Sequence, residues 1–452
     1  MNETNRPTDE RAPGDPHATH DLLLVVALAH AEVNARSVSG HNAAVNDIDL
    51  TDRRTFARGF PHDAFTKLRQ DAPVYWQAFP PGFPGDHDPG FWVLSRYDDV
   101  QAASRDAELF CSYDGPQLTI QPAMRGTMLV TMDGRAHVRQ RRLISAGFTP
   151  RMVSRLEAQT REWAVSIVER ALERGTCDFV QEVAYQLPMH MIADIVGIPL
   201  DDREWLFGLT NEMLAGGDTN NIATPESFLA IQVQMFEYAQ ELGRRKRAEP
   251  QDDIWSLLTN VEIETADGEP TQLGETELDM FFFLLTVAGS ETTRNAIAGG
   301  LMALVEHPEQ LARLRSEPEA MKPAVEEILR WTSPVAYFAR RATRPTEIRG
   351  VPIAEGDRIT MWYPSANRDD AVFDDPFRFD ITRTPNNHVA FGGGGPHFCL
   401  GANLARHEIA IMFEELLART TDIEILAPPT YSGITIDNPV LGAVRDLPVR
   451  LG

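Results

Sequence analysis

One cysteine of the sequence stands in an unusual stretch, residues 391–401, which reads Phe-Gly-Gly-Gly-Gly-Pro-His-Phe-Cys-Leu-Gly. Four consecutive glycines carry a large entropic cost on folding. We therefore expect the backbone to approach a flat, bulky group there and then turn to present the sulfur of Cys399. A helix-like sequence begins at Ala402, and the positive end of its dipole beside the sulfur would favour the thiolate. A thiolate presented in this way can bind haem iron as an axial ligand.

Two other interpretations of Cys399 are less favoured. A buried core cysteine is common in proteins, but it requires neither a glycine run nor a histidine two residues upstream. A structural zinc site formed with His397 would need four ligands, usually in two closely spaced pairs. The only other cysteines, Cys111 and Cys177, are isolated in the sequence, so a zinc site is disfavoured.

A second group that could do chemistry lies inside the longest apolar helical pattern, residues 276–305. There Gly289 precedes Glu291 and Thr292, and both a glycine and a carboxylate are costly within an apolar helix. A threonine hydroxyl can bond back to a carbonyl, so that the helix opens locally and admits water. An acid, an alcohol and water together would deliver protons. The alternative is a simple helix kink with polar residues at its surface.

Two pairs of charged residues have helical spacing. Glu327 and Arg330 are spaced i,i+3 and should meet on one helix face. His137 and Arg141 are spaced i,i+4 and could both reach one anionic group. The alternative for each pair is an ordinary solvated helix face.

Composition excludes several classes of function. A formal net charge of −24 argues against general binding to nucleic acids or anionic membranes, which require basic surfaces. The longest apolar run, residues 22–29, is far shorter than the roughly 20 residues of a membrane-spanning helix. The residues before it carry no net positive charge, which disfavours an export signal. Three cysteines in 452 residues suit a reducing cytoplasm rather than a disulfide framework.

The sequence predicts a mainly α-helical protein with small β-sheets. Residues 1–46 have the composition of a disordered extension, and residues 47–452 are predicted to form a single domain. Helical periodicity dominates from residue 136 to residue 331, including one helix predicted over residues 252–264 and a turn at residues 267–268. Alternation over residues 340–363 predicts a small antiparallel sheet.

These motifs, in this order, resemble those of the cytochrome P450 family of haem-thiolate monooxygenases. The resemblance covers residues 47–452 and implies the fold of that family, with haem b (iron protoporphyrin IX) between the long central helix and the cysteine loop. It implies that Cys399 is the axial thiolate and that Glu291 and Thr292 deliver protons when dioxygen is activated. Further implied roles are haem binding by His137, Arg141, Arg340, Phe391, His397 and Gly401, with the histidines and arginines at the propionates, and a structural network of Glu327, Arg330 and Arg378.

The cysteine loop departs from the usual family pattern by one residue. Phe391 lies eight residues before Cys399, whereas most members have seven. Actinobacterial members that hydroxylate sterol side chains and methyl-branched lipids look similar in this longer form, which implies a sterol, terpenoid or fatty-acyl substrate. The apolar residues expected to line its pocket are Leu284, Leu285, Ala288, Val335, Ala336 and Tyr337, with the loop of residues 112–130 nearby.

No flavin or nicotinamide motif is present, so electrons should come from separate proteins. The family parallel is a ferredoxin and its reductase fed by NAD(P)H, with a monomeric cytoplasmic enzyme as their acceptor. A basic spot of Arg139, Arg142 and Arg406 would steer an acidic partner. A peroxide-driven peroxygenase and a non-enzymatic haem sensor or carrier are the alternatives, and neither needs the pair of Glu291 and Thr292.

Overall fold

The computed structural model describes residues 45, 47–85, 87–146, 150–215, 225–264, 269–432, 436, 438, 440 and 442–452. The predictions made for residues 1–44 and for the turn at residues 267–268 lie outside these ranges. No helix in the described part of the chain is long and apolar enough to cross a membrane.

Helices make up most of the described chain, which confirms the predicted fold class. They are α1 (His62–Asp71), α2 (Tyr97–Arg105), α3 (Gly134–Ser145), α4 (Pro150–Arg174), α5 (Gln186–Val196), α6 (Leu200–Ala215), α7 (Pro225–Ala248), α8 (Ile254–Leu258), α9 (Glu275–Glu306), α10 (Pro308–Ser316), α11 (Met321–Thr332), α12 (Tyr363–Ala366) and α13 (Ala402–Arg419). Short 3-10 turns lie at Arg53–Thr55, Pro122–Met124, Leu129–Thr131 and Pro318–Ala320, and a π-helical turn lies at Val180–Ala184.

The long helix α9 is the centre of the helical core. It packs against α5, α7, α11 and α13, as expected for a helix whose apolar residues cover most of its circumference. At Gly300 a Cβ atom would lie only 2.8 Å from Cγ2 of Ile328 in α11. The absence of a side chain therefore allows the two helices to approach closely at their crossing.

The strands form one larger sheet and several small ones. They are β1 (Val74–Ala78), β2 (Gly90–Leu94), β3 (Phe110–Cys111), β4 (Thr176–Asp178), β5 (Ile263–Glu264), β6 (Pro270–Thr271), β7 (Tyr337–Ala342), β8 (Thr346–Ile348), β9 (Val351–Ile353), β10 (Arg358–Trp362), β11 (Ile423–Ile425), β12 (Thr430–Ser432), β13 (Ala443–Asp446) and β14 (Pro448–Leu451). The larger sheet has the order β1-β2-β10-β7-β3, and a second sheet has the order β11-β14-β4. The remaining pairs are β5-β6, β8-β9 and β12-β13.

The larger sheet is covered by apolar side chains on both faces. In β2, Trp92 and Leu94 belong to one buried cluster, while Phe91 and Val93 belong to another. This division follows from the alternation of side chains along a strand. The antiparallel sheet predicted over residues 340–363 is confirmed by the register of β10 with β7, in which Thr360 pairs with Ala339.

The single helix predicted over residues 252–264 is wrong. Only Ile254–Leu258 is helical, and Ile263–Glu264 pairs with Pro270–Thr271 in a two-stranded ribbon. Asp253 caps the start of α8 by accepting a hydrogen bond from the Ser256 N–H. Just past its end, the Asn260 side chain donates to the Ser256 carbonyl at 2.7 Å and competes with the helix for that acceptor.

Candidate active site

The four glycines of the cysteine loop fit against the end of α2. A Cβ atom at Gly393 would lie 2.8 Å from Cα of Gln101, and one at Gly395 would lie 2.7 Å from the Ser104 carbonyl oxygen. The Ser104 hydroxyl also donates to the Gly394 carbonyl at 3.0 Å. At these two glycines the close neighbour is the protein's own helix and not the flat, bulky group that was predicted.

The loop presents Cys399 immediately before α13. The Cys399 N–H donates to the carbonyl of Phe391 at 3.0 Å and so closes the loop. The Cys399 side chain is accessible, yet surrounding protein excludes enough water to raise the pKa of its thiol. These two properties place the sulfur in a recess. The N–H of Gly401 and the positive charges of Arg141 and Arg406 act in the opposite direction on this pKa.

The sequence correctly predicted a helix directly after Cys399. Its positive end was expected to favour the thiolate, but burial outweighs the favourable groups and the net pKa shift is upward. The recess thus favours a neutral thiol unless a cation such as a metal ion binds the sulfur.

Four predicted anion-binding residues come together although they are far apart in the sequence. The rings of His137 and His397 lie 4.3 Å apart between centroids, and Arg141 donates to the carbonyl of Phe398 at 2.7 Å. The buried guanidinium of Arg340 donates to the carbonyl of Ala339 at 2.9 Å. Burial, followed by the charges of His397 and Arg141, lowers the pKa of His137 to about 4.

Asp133 is an acid of this cluster that sequence reasoning missed. Its Oδ1 lies 3.2 Å from Nε2 of His397, and the Ser112 hydroxyl lies 3.0 Å from the same nitrogen. Burial lowers the pKa of His397, whereas the hydrogen bond to Asp133 acts against that shift. The position of Asp133, just before α3 and four residues before His137, was the available signal.

The predicted acid and alcohol are neighbours on α9 but point to different partners. The Thr292 hydroxyl donates to the carbonyl of Ala288 at 2.9 Å, as its helical spacing predicted. Glu291 is buried, and its Oε1 lies 3.2 Å from Nη2 of Arg294. Burial raises the pKa of Glu291, and Arg294 acts in the opposite direction.

Gly289 contributes to helix packing rather than to a break in α9. A Cβ atom at this position would lie 2.9 Å from Cδ1 of Ile192 in α5. Helix α9 continues without interruption from Glu275 to Glu306. The predicted local opening of the helix at Gly289 is therefore wrong.

One face of α9 is accessible although most of the helix is buried. Ala288 is exposed, and Leu284, Leu285 and Thr292 are half-buried. Positions 284, 288 and 292 are spaced i,i+4 and therefore lie on one stripe of the helix. This stripe is thus an accessible apolar surface with one hydroxyl group.

Comparisons with known proteins agree with this arrangement. The chain is 42% identical over 378 residues to the methyl-branched lipid omega-hydroxylase of Mycobacterium tuberculosis, covering 81% of this chain and 86% of that one. It is 38% identical over 391 residues to the steroid C26-monooxygenase of Rhodococcus jostii, covering 84% and 80%. The cytochrome P450 family model matches residues 225–421. The chain belongs to the cytochrome P450 family. Among solved structures, a Mycobacterium marinum cytochrome P450 in complex with pseudoionone superposes with a TM-score of 0.81 at 36% identity, covering 90% of this chain and 98% of that one.

This cytochrome P450 is therefore a monooxygenase, a class that uses O2 and haem with an axial cysteine thiolate. The cluster described above fits such a haem. Within the described residues, Nε2 of buried His137 has no hydrogen-bond partner. Arg340 is buried without a carboxylate in bonding contact among those residues. An anionic propionate would satisfy both groups.

The structural network of this P450 contains a different arginine from the one predicted. Glu327 and Arg330 form a fully buried bidentate pair, with both N–O distances at 2.8 Å. Nε of Arg383 lies 3.2 Å from Glu327, whereas the side chain of Arg378 is 63% exposed and lies 3.9 Å from Asp380. The prediction of Arg378 is therefore wrong. Only its backbone carbonyl accepts from Arg330, at 3.3 Å.

A turn after two buried residues accounts for this difference. Phe379 and Ile381 are buried. The Arg383 N–H then donates to the carbonyl of Asp380 at 3.0 Å, and the turn that this bond closes places the Arg383 side chain against Glu327. Arg378 precedes the buried residues, and its side chain reaches solvent.

Two predicted pocket residues belong to the core of the sheet. Ala336 and Tyr337 are 2% and 0% exposed and lie in the cluster with Trp362. The Tyr337 hydroxyl donates to the carbonyl of Ile436. Their prediction as substrate contacts is therefore wrong, whereas Val335 is half-buried.

The predicted basic spot is largely neutralised by carboxylates. Arg139 pairs with Glu277 at 2.6 Å, and Arg406 pairs with Glu326 at 2.6 Å. Arg142 is exposed. These three arginines thus do not form the surface of free positive charge that the sequence predicted.

Proposed function

We propose that this cytochrome P450 hydroxylates an apolar lipid, either a methyl-branched chain or a steroid side chain. The observation that carries the proposal is the accessible stripe of α9, where Leu284 and Ala288 present hydrocarbon next to the hydroxyl of Thr292. An apolar chain placed there is held by shape and burial, with one hydroxyl near the reacting carbon. The names of the two relatives give the same chemical classes.

Cys399 would hold the haem iron, and Arg340, His137 and Arg141 would bind its propionates. His397, fixed by Asp133 and Ser112, would support the ring of His137. Bound haem supplies the cleavage of O2, with one oxygen atom inserted into a C–H bond and the other released as water. The N–H of Gly401 stabilises charge on the sulfur.

Thr292 and Glu291 would move the protons that this reaction consumes. In the structure the Thr292 hydroxyl hydrogen is used by the Ala288 carbonyl, so Oγ1 keeps its lone pairs free to accept a hydrogen bond from water. The raised pKa of Glu291 brings its proton exchange closer to neutral pH. Release of its carboxylate from Arg294 would let Glu291 pass a proton through water to Thr292.

Electrons would come from a ferredoxin and an NAD(P)H-dependent reductase, with residues 47–452 acting as one monomeric domain in the cytoplasm. Three features support this part of the proposal. The described cysteines are free thiols, the sequence has no nucleotide-binding motif of its own, and the helical core is continuous around α9.

The test is reconstitution of the haem-loaded protein with a ferredoxin, a reductase and NADPH. Methyl-branched fatty acids and steroids bearing an alkyl side chain are supplied, and products are identified by mass spectrometry. A hydroxylated product that depends on NADPH supports the proposal. Equal turnover with peroxide alone would replace it with a peroxygenase, and no oxidised product from either class would refute it.

Cys399→Ser and Cys111→Ser form a matched pair for the haem ligand. We expect Cys399→Ser to abolish the red-shifted absorption of the reduced, carbon monoxide-bound protein. Cys111→Ser should retain that absorption. The opposite result would exclude Cys399 as the ligand.

A further inference from the structure

The ring of Phe391, at the start of the cysteine loop, is held by a charged cluster. The guanidinium carbon of Arg406 lies 4.5 Å from the ring centroid, in cation–π contact. The imidazole of His388 is a second neighbour, with its centroid 6.0 Å from that of the ring. Phe391 is thus fixed by two side chains that themselves require a partner.

Glu326 is that partner. Its Oε1 accepts from Nε of Arg406 at 2.6 Å, and its Oε2 accepts from Nη2 of the same guanidinium at 3.0 Å. Oε2 also lies 2.9 Å from Nε2 of His388. A bidentate pair fixes the plane of a guanidinium as well as its position, so Glu326 determines how Arg406 stacks on the ring.

The tautomer of His388 follows from its neighbours. The N–H of Ala390 donates to Nδ1 of His388 at 3.2 Å, so that Nδ1 is the acceptor and Nε2 carries the hydrogen donated to Glu326. Burial raises the pKa of Glu326, but the hydrogen bonds from His388 and Arg406 outweigh it and bring this pKa to about 2. The hub of the cluster is therefore a carboxylate at any working pH.

The cluster is linked directly to the backbone of Cys399. The carbonyl of Phe391 accepts the Cys399 N–H at 3.0 Å. A change in the position of Phe391 would therefore move the backbone that carries the sulfur. Between these two residues lie four glycines, which have little stiffness of their own.

We propose that Glu326 is a positioning residue for the cysteine ligand. Its carboxylate fixes Arg406 and His388 against Phe391, and thereby fixes the Cys399 sulfur and the charge around it. Glu326 is distinct in this role from its neighbour Glu327, which belongs to the buried network with Arg330 and Arg383. The inference rests on the proposed function, because it takes Cys399 as the haem ligand.

The test compares Glu326→Gln with Glu317→Gln in the full-length, haem-loaded protein. Glu317 forms an exposed ion pair with Arg313 at 2.9 Å and so controls for the loss of one carboxylate. Glutamine at 326 leaves the charge of Arg406 uncompensated near the sulfur, which favours the reduced haem. We expect the one-electron reduction equilibrium of Glu326→Gln to shift about tenfold toward reduction, about 59 mV by spectroelectrochemistry.

A double variant separates the charge of Arg406 from its contact with Phe391. In Glu326→Gln/Arg406→Gln no uncompensated charge remains, so the potential should move back toward that of the wild type. Phe391 has lost its cation–π partner, however, so a larger fraction than in the wild type should lack the red-shifted carbon monoxide absorption. A double variant that matches the wild type in this fraction would overturn the positioning role. So would a Glu326→Gln potential that equals that of Glu317→Gln.

Two further variants cover poor folding and a wrong ligand assignment. If Glu326→Gln fails to incorporate haem, Arg406→Lys is tested in its place. This variant keeps the positive charge but loses the bidentate hydrogen bonding to Glu326. In Arg406→Lys a larger fraction of the reduced, carbon monoxide-bound protein than in the wild type should lack the red-shifted absorption. A fraction equal to that of the wild type contradicts the inference. If Cys399→Ser retains that absorption, the proposed ligand fails; if only the Glu326 variants match wild type, the positioning role alone fails.

Discussion

Glu408 is a buried acid that has no role in the proposed mechanism. Its burial allows a quantitative prediction of how the free energy of unfolding depends on pH. It lies on α13 and is 4% exposed, and its Oε2 has no hydrogen-bond partner among the described residues. Burial raises its pKa from 4.5 to about 8. The folded protein therefore keeps a proton on Glu408 over a pH range in which the unfolded chain releases it.

The sign and the size of the effect follow from proton linkage. Between pH 4.5 and about 8 the unfolded state binds fewer protons at this residue, so stability is highest at low pH and falls as pH rises through this window. Each pH unit within this window lowers the free energy of unfolding by about 1.4 kcal/mol. At pH 7, which is 2.5 units above 4.5, the loss is about 3 kcal/mol. Glutamine has the shape of the protonated acid and does not titrate.

We therefore expect Glu408→Gln to be close to wild type in stability near pH 4.5 and about 3 kcal/mol more stable at pH 7. The measurement is the free energy of unfolding of the haem-loaded protein, from urea titrations followed by circular dichroism at several pH values. Glu414→Gln, on the exposed side of the same helix, loses only a surface ion pair with Arg161. Because it retains Glu408, it should keep the wild-type pH dependence. Parallel curves for Glu408→Gln and wild type would refute the reasoning.

Three further substitutions test other parts of the site. Thr292→Ala should lower the yield of product per NADPH and increase peroxide release, because water at the site loses its hydroxyl partner; unchanged coupling would exclude proton delivery by Thr292. Arg383→Ala should cost about 3 kcal/mol in urea unfolding by leaving a buried carboxylate with one partner fewer, whereas the exposed Arg378→Ala should stay within about 0.5 kcal/mol of wild type; equal costs would restore the original prediction. Gly395→Ala should lower the melting temperature and haem content, since the backbone there has φ +78° and a Cβ atom would meet the backbone of α2 at 2.7 Å. The control is Gly208→Ala, in a helix with no atom within 4 Å of the added Cβ. This control should be neutral or stabilising.

Features that depend on local spacing were predicted well from the sequence. The helix after Cys399, the pairing of Glu327 with Arg330 and the bond from Thr292 to the carbonyl of Ala288 each involve residues within one helical turn. Their geometry is fixed by the backbone of a single element. Such contacts can be inferred from sequence alone because no other part of the chain decides them.

Features that depend on which side of an element faces the core were predicted less well. Arg378 and Arg383 are equally plausible partners for Glu327 until the turn from Asp380 to Arg383 is known. Likewise Ala336 and Tyr337 are apolar residues near the haem motifs, but the sheet turns them toward Trp362. These choices are made by tertiary packing, which overrides the local pattern.

The cysteine loop depends both on local spacing and on tertiary packing. Ser104 and Arg105 at the end of α2 hold its carbonyls, while the cluster of Glu326 holds Phe391 at its beginning. The hydrogen bond from the Cys399 N–H to the Phe391 carbonyl joins residues that are eight positions apart. The glycines therefore lie against α2, and the end of the loop that presents the sulfur has a closed, bonded geometry.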